Sequence, residues 1–253
     1  MAAPYSLAGL SPVPDPMSSS RFFVLIPCAG AGHRAGGAQP KQYHRLAGAS
    51  MVAHTVEAFR ALAGRFAGLA VVVSPEDRDI QAALPRFPAT GEFLLQVGGV
   101  TRAATVRNGL AALRQKGAGP HDWVLVHDAA RCLITSSQIE ALIAACEHDP
   151  VGGLLAHRLA DTLKVSSGDS RVSQTLPRAD KWLAQTPQMF RVGMLLDALE
   201  RTGDAVTDEA GAIEAIGLSP LLVPGSAQNF KVTFPEDFAL AEAVLLGRKK
   251  GAA

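Results

Sequence analysis

From Phe22 onward, short apolar runs alternate with segments of helical periodicity. That alternation constrains this chain more than any other feature. Phe22 to Pro27 reads as a buried strand, and Val52 to Ala63 as a helix. Leu69 to Val73 reads as the next strand, followed by Ser74-Pro-Glu-Asp77, a Ser cap with an N1 proline and early acids that opens a helix. Phe93 to Val97 is a further strand. Arg102 to Arg114 is a helix with Ala103, Val106, Leu110 and Leu113 on its apolar face. Trp123 to Val126 is a strand, and Thr135-Ser-Ser-Gln138 is a capping box opening a helix that ends near Cys146. Gly153 to Ala156 restarts the sheet, and Thr233-Phe-Pro-Glu236 is a second capping box, opening a helix to about Leu246. Repeated β-α-β order with uninterrupted apolar strands predicts an α/β fold: a mostly parallel twisted sheet covered by helices on both faces.

One stretch breaks the rhythm. From His157 to Gln185 the chain is polar and turn-rich, with short alternating runs such as Thr162-Leu-Lys-Val165. It reads as a β-hairpin arm projecting from the domain. A two-stranded ribbon cannot bury its own face, so packing on a second subunit is expected, with a surface insertion as the alternative. Residues 1–20, rich in proline and serine, read as a disordered leader without the charged and apolar regions of a signal peptide. Residues 21–250 are then expected to form one domain, with 157–185 as its dimerisation arm. The sequence ends soon after the last helix, so a second, fused enzyme is not expected.

Composition enters by what it excludes. Net charge is +1 with Lys and Arg scattered, which argues against nucleic acid as a partner. No apolar run reaches the ~18–20 residues of a membrane span, so a cytoplasmic protein is expected. Cys28, Cys132 and Cys146 are odd in number and form no C-x-x-C pair, so they read as buried thiols rather than disulfides or zinc ligands.

The first strand runs into Pro27-Cys-Ala-Gly30-Ala-Gly32-His-Arg34, with Pro40-Lys41-Gln42 behind it. Glycines there let backbone N–H groups approach a polyphosphate, and Arg34 and Lys41 supply charge. The dinucleotide fingerprint is missing its third small residue, and a Walker loop would need Gly-Lys-Ser/Thr. Further stretches, in order, are Gly98-Gly99…Arg102-Ala-Ala-Thr105-Val-Arg-Asn-Gly109, Val126-His-Asp-Ala-Ala-Arg131, Asp161-Thr-Leu-Lys164, Trp182…Gln185-Thr-Pro-Gln188, Thr207-Asp-Glu-Ala210 and Asn229-Phe-Lys231-Val-Thr. Together with the glycine loop they resemble the 2-C-methyl-D-erythritol 4-phosphate cytidylyltransferase family of the non-mevalonate isoprenoid pathway. The resemblance spans residues 24 to 245.

That resemblance implies a Rossmann-like nucleotidyltransferase that joins CTP to methylerythritol phosphate and releases pyrophosphate. It places Ala29, Gly30, Gly32, Arg34 and Lys41 around the triphosphate, and has Gly99, Thr105 and Ala129 contact the nucleotide. Asp128 is implied to hold Mg²⁺, which suits a hard carboxylate oxygen at a strand end. Thr162, Arg178, Thr186 and Thr207 are implied to hold the acceptor, with Thr162 and Arg178 coming from the partner of a homodimer. Thr207 also reads as a helix N-cap. Lys231, placed just before a strand ends, is implied to touch both phosphates and, with Arg34 and Lys41, to be catalytic. His127 is expected to be structural, because an anionic phosphate nucleophile needs no base. Val100 and Cys132 depart from residues often found in the family. The alternatives are transfer to another polyol phosphate, such as ribitol 5-phosphate, and a nucleotide-binding regulator without catalysis.

Overall fold

The structure is a computed structural model and describes residues 21–30 and 40–251. Its strands are β1 (Phe22–Pro27), β2 (Arg45–Leu46), β3 (Ala49–Ser50), β4 (Gly68–Val72), β5 (Glu92–Leu95), β6 (Trp123–Val126), β7 (Gly152–Arg158), β8 (Leu163–Ser166), β9 (Val172–Leu176), β10 (Trp182–Arg191) and β11 (Leu221–Pro224). Its helices are α1 (Met51–Arg60), α2 (Ile80–Ala83), α3 (Arg102–Gln115), α4 (Ser136–Cys146), α5 (Val192–Thr202), α6 (Glu209–Ala215) and α7 (Pro235–Gly251). The leader expected at 1–20 lies outside the described residues.

Seven strands form one sheet in the order β11-β7-β10-β6-β1-β4-β5. β10 runs antiparallel to both neighbours, and every other pairing is parallel. The expected mostly parallel sheet is therefore present, with one reversed strand in its middle. Period-2 alternation along β1 explains why both faces are covered. Phe23 and Leu25 point with Val124 and Val126 into a core shared with α3 and α5. Val24 and Ile26 point with Leu69 and Val71 into a second core, built with α1 and α4. Phe59, Trp123 and Phe190 are fully buried in these cores.

Several local readings hold. Thr135 closes a true capping box with Gln138 at the head of α4, and all three cysteines are free and buried. Other readings need correction. Ser74 to Asp77 forms a turn rather than a helix start; the Asp77 carboxylate accepts from Asp79 N and Ile80 N, so the short α2 begins only at Ile80. At α7 the acid that closes the N-terminus is Asp237, which accepts from Thr233 N at 2.7 Å, while the Thr233 hydroxyl donates to Lys231 O. The helix also runs past Leu246 to Gly251.

The polar stretch does contain a two-stranded ribbon, β8 with β9, which pairs with no strand of the main sheet. Its ends are shorter than expected: β7 continues in the main sheet to Arg158, and β10 rejoins it from Trp182.

Candidate active site

The chain climbs from β1 through β4 to β5 on one side, then returns to place β6 on the other side of β1. Ligand crevices in open α/β sheets form at such a reversal, beyond the carboxyl ends of the strands. Here the loops after β1, β5 and β6 meet around a cavity of about 820 Å³. Ala29 and Gly30 come from the first loop, Gly99 from the second, and Asp128 and Ala129 from the third. Lys41, Thr105 and Lys231 complete the predicted residues in its wall. Gly32 and Arg34 lie outside the described residues.

Close packing fixes this floor. A Cβ on Gly98 would fall 2.4 Å from the Ala29 Cβ and 2.7 Å from Val73 O, while Gly98 N donates to that same carbonyl. Gly98→Ala is therefore expected to destabilise the fold by about 1–3 kcal/mol through overpacking and, by moving Ala29, to weaken CTP binding. Calorimetric titration with CTP beside a denaturant melt checks both; native values in each would refute the packing argument.

Gln42, assigned no role from sequence, fastens the loop after β1. Its Nε2 donates to Cys28 O at 3.1 Å and Gly30 O at 2.9 Å. Lys41, in the 3₁₀ turn Lys41–Tyr43, donates from Nζ to Val232 O at 2.8 Å. Thr105 is buried, and its hydroxyl donates to Thr101 O and accepts from Gly99 N at 3.1 Å. It braces the Gly99 loop from below. Val100 stands 99% exposed beside that loop, and Cys132 is buried in an apolar cluster with Leu133 and Val232.

Charge concentrates at Asp128. Its Oδ1 accepts from Arg102 Nε at 2.8 Å, and its Oδ2 pairs with Lys231 Nζ at 2.8 Å. Burial alone would raise this carboxyl, yet Arg102 and Lys231 hold it well below the usual carboxylate range. Arg102 in turn forks onto Glu209 at 2.7 and 2.9 Å. Burial opposes the guanidinium charge, but Glu209 and Asp128 more than offset it and raise its pKa. Arg131 reaches Asp128 only at 3.9 Å and instead donates to Asn229 O and Ala184 O. Lys231 lies in a loop, not on a strand as expected.

Beside this cluster opens a smaller cavity of about 210 Å³, lined by Thr186 and Thr207 and sharing Arg102, Asp128 and Lys231 with the larger one. Thr186 is buried; its hydroxyl accepts from Asp128 N at 3.0 Å and lies 3.0 Å from His127 Nδ1. His127 is structural, as expected. Burial pushes its pKa down to about 4, and its Nε2 lies 3.1 Å from Arg131 O. Thr207 is exposed and is not the N-cap of α6; Asp208 takes that role. Thr162 and Arg178 are exposed on the ribbon side and line neither cavity within this chain. Among the described residues no group of three or more His, Cys, Asp or Glu gathers as a metal site.

The profile of the family described as "IspD: 2-C-methyl-D-erythritol 4-phosphate cytidylyltransferase" matches residues 22–247. The chain belongs to this family. A family relative, the 2-C-methyl-D-erythritol 4-phosphate cytidylyltransferase of Burkholderia multivorans, is 52% identical over 229 residues, covering 89% of this chain and 96% of that protein. The bifunctional enzyme IspD/IspF of Albidiferax ferrireducens is 58% identical over 240 residues, 94% of this chain; the chain spans only 56% of that longer protein. Among solved structures, a 4-diphosphocytidyl-2C-methyl-D-erythritol synthase superposes with a TM-score of 0.78 at 39% identity, covering 89% of this chain and 98% of that one. The Francisella tularensis member of the family gives 0.74 at 31% identity, covering 88% and 98%. The family fold is therefore shared over most of the chain.

Proposed function

We propose that residues 21–250 form one catalytic domain that transfers the cytidylyl group of CTP to 2-C-methyl-D-erythritol 4-phosphate. The observation that carries this reading is the shared wall: two cavities, one large and one small, meet at Asp128, Arg102 and Lys231. A transfer between two phosphorylated substrates needs such a junction, with fixed charge where the phosphates crowd.

In this reading CTP lies in the larger cavity, with its triphosphate over Ala29 and Gly30 and near Lys41, and Gly32 and Arg34 are assigned to the same triphosphate from the sequence. Gly99 and Thr105 receive the base side, and Ala129 lies under the nucleotide. The acceptor phosphate enters the smaller cavity between Thr186, Thr207 and Lys231. One of its oxygens attacks the α-phosphorus, the bond between the α- and β-phosphates breaks, and pyrophosphate leaves with that electron pair. No proton need be removed, which accords with the neutral, hydrogen-bonded His127. Lys41 and Lys231 stabilise the charge that spreads over the reacting phosphoryl oxygens.

Asp128 fits a magnesium ion because it presents a fully ionised carboxylate at the junction, and this ion takes one or two carboxylates with water and phosphate oxygens rather than an all-protein cage. When bound, Mg²⁺ would neutralise phosphate charge.

Thr162 and Arg178 lie away from both cavities of their own chain, which supports a homodimer in which the 157–185 arm serves the neighbouring site. Arg178→Ala and Lys41→Ala chains are each expected to be nearly inactive alone. When the two are mixed in equal amounts and exchange at random, about half the dimers are heterodimers with one of two sites intact, so roughly a quarter of native activity should return. A fully active monomer would refute the shared site.

No helix among the described residues is long and apolar enough to cross a membrane, in keeping with a cytoplasmic enzyme. The test of the function is pyrophosphate release from CTP and Mg²⁺ with methylerythritol phosphate and ribitol 5-phosphate offered separately. Release with the first alone supports the proposal. Release with ribitol phosphate alone keeps the CTP site and changes the acceptor. CTP binding without release points to a regulator.

A further inference from the structure

Each oxygen of Asp128 holds one cation at 2.8 Å, with Arg131 farther off at 3.9 Å from Oδ2, and the two close cations are anchored unequally. Arg102, on Oδ1, spends both terminal nitrogens on Glu209, a carboxylate with a side chain only 1% exposed at the first position of α6. Lys231, on Oδ2, stands in a loop with its side chain 40% exposed. A divalent cation arriving at this carboxylate is repelled by the two cations already on it and competes with them for its lone pairs, which favours withdrawal of one of them.

We propose that Glu209 is a positioning residue: it pins Arg102 to one oxygen of Asp128, so that Lys231 is the counter-ion that yields when a divalent cation and phosphates enter. Withdrawing Arg102 would break its bond to Asp128 together with its two charge-assisted bonds to Glu209 and strand that buried carboxylate, a costly state. Withdrawing Lys231 moves one solvated ammonium a short way, and it lines both cavities. The released lysine is thereby delivered to the phosphates at the moment the cation arrives. The same fork ties the first turn of α3, on the nucleotide side, to the head of α6, where Thr207 and Asp208 line the smaller cavity.

Without Glu209, the whole guanidinium fork can turn side-on to Asp128 and cover both of its oxygens, in competition with the incoming cation. This inference rests on the reading of Asp128 as the cation's ligand.

Binding of Mn²⁺ to the enzyme–CTP complex, followed by electron paramagnetic resonance without acceptor, tests it apart from turnover. Glu209→Gln is expected to weaken Mn²⁺ binding about tenfold, as loss of a partner behind a metal ligand commonly does. Glu209→Asp keeps the charge but shortens the reach, and should also weaken binding at least threefold. Arg102→Gln uncovers one oxygen of Asp128 and should tighten binding, the opposite sign. Melting curves identify any variant that fails to fold, and the remaining variants still carry the test. Native-like binding in Glu209→Asp alongside weak binding in Glu209→Gln would mean that only the field matters, and would overturn the positioning role. Shifts of the same sign in all three variants would overturn it as well. No Mn²⁺ bound by the native complex would instead remove the reading of Asp128 beneath it.

Discussion

Lys41→Ala is expected to lower turnover about 10²–10³-fold, the ~3–4 kcal/mol typical of losing one preorganised charge at a reacting phosphate or oxyanion. Two contributions can be separated by size. Lys41 Nζ also donates to Val232 O, and Val232 N donates to Ala130 O, so the lysine helps seat the loop that carries Lys231. Loss of one such hydrogen bond costs about 0.5–1.5 kcal/mol, which is too little to explain the predicted loss. Single-turnover kinetics with saturating CTP, beside a melting curve, distinguish the two. A large fall in rate with a small fall in melting temperature is the expected result. Near-native turnover would remove Lys41 from the chemistry.

Asp128→Asn has the second large effect, and it acts on stability as well as on rate. Among the described residues, this carboxylate is the only acid that Arg102 and Lys231 share. Breaking a buried pair by removing one partner costs about 3–5 kcal/mol. The lower end is expected here, since Glu209 still holds Arg102 and Lys231 can regain water. Turnover should fall by at least 10³-fold, because the junction then carries excess positive charge and loses the carboxylate proposed to hold the cation. Urea melts of the variant, followed by assay at the temperature where it remains folded, separate these effects. A variant as stable as the native chain would show that the cluster contributes nothing net to folding.

The sheet was legible from sequence because its strands are continuous apolar runs, and Trp123 to Val126 was read to the residue. α4 was legible because both halves of its capping box are local in sequence. Ser74 misled because a Ser-Pro-Glu-Asp string satisfies the signature of a helix start and of a turn alike; only Tyr43, donating to Asp77 at 2.5 Å from 34 residues away, shows how that turn is held. At the site, the residues carrying charge on loops were visible, whereas their partners were not. Glu209 meets Arg102 across 107 residues, a distance no pattern within a window can report. One signal was available: Arg102 opens α3, where the helix dipole disfavours a cation, so an acidic partner elsewhere was required. Gln42 gave no such signal, since a glutamine beside a lysine is unremarkable until the loop it underpins is seen.

β10 leaves the ribbon at one end and carries Thr186 in its middle, and the register with β7 shifts between Ala184 and Gln188. This divides the connection between β7 and β11 into two regions with different tolerance to change over evolution. Residues inserted or deleted at the ribbon tip, between Ser166 and Val172, leave the pairing of β10 with β6 untouched. A single residue gained or lost between Trp182 and Gln188 would alter the irregular segment that seats Thr186 and carry its hydroxyl away from Asp128. Length variation among descendants of this chain should therefore collect at the tip and stop short of Trp182.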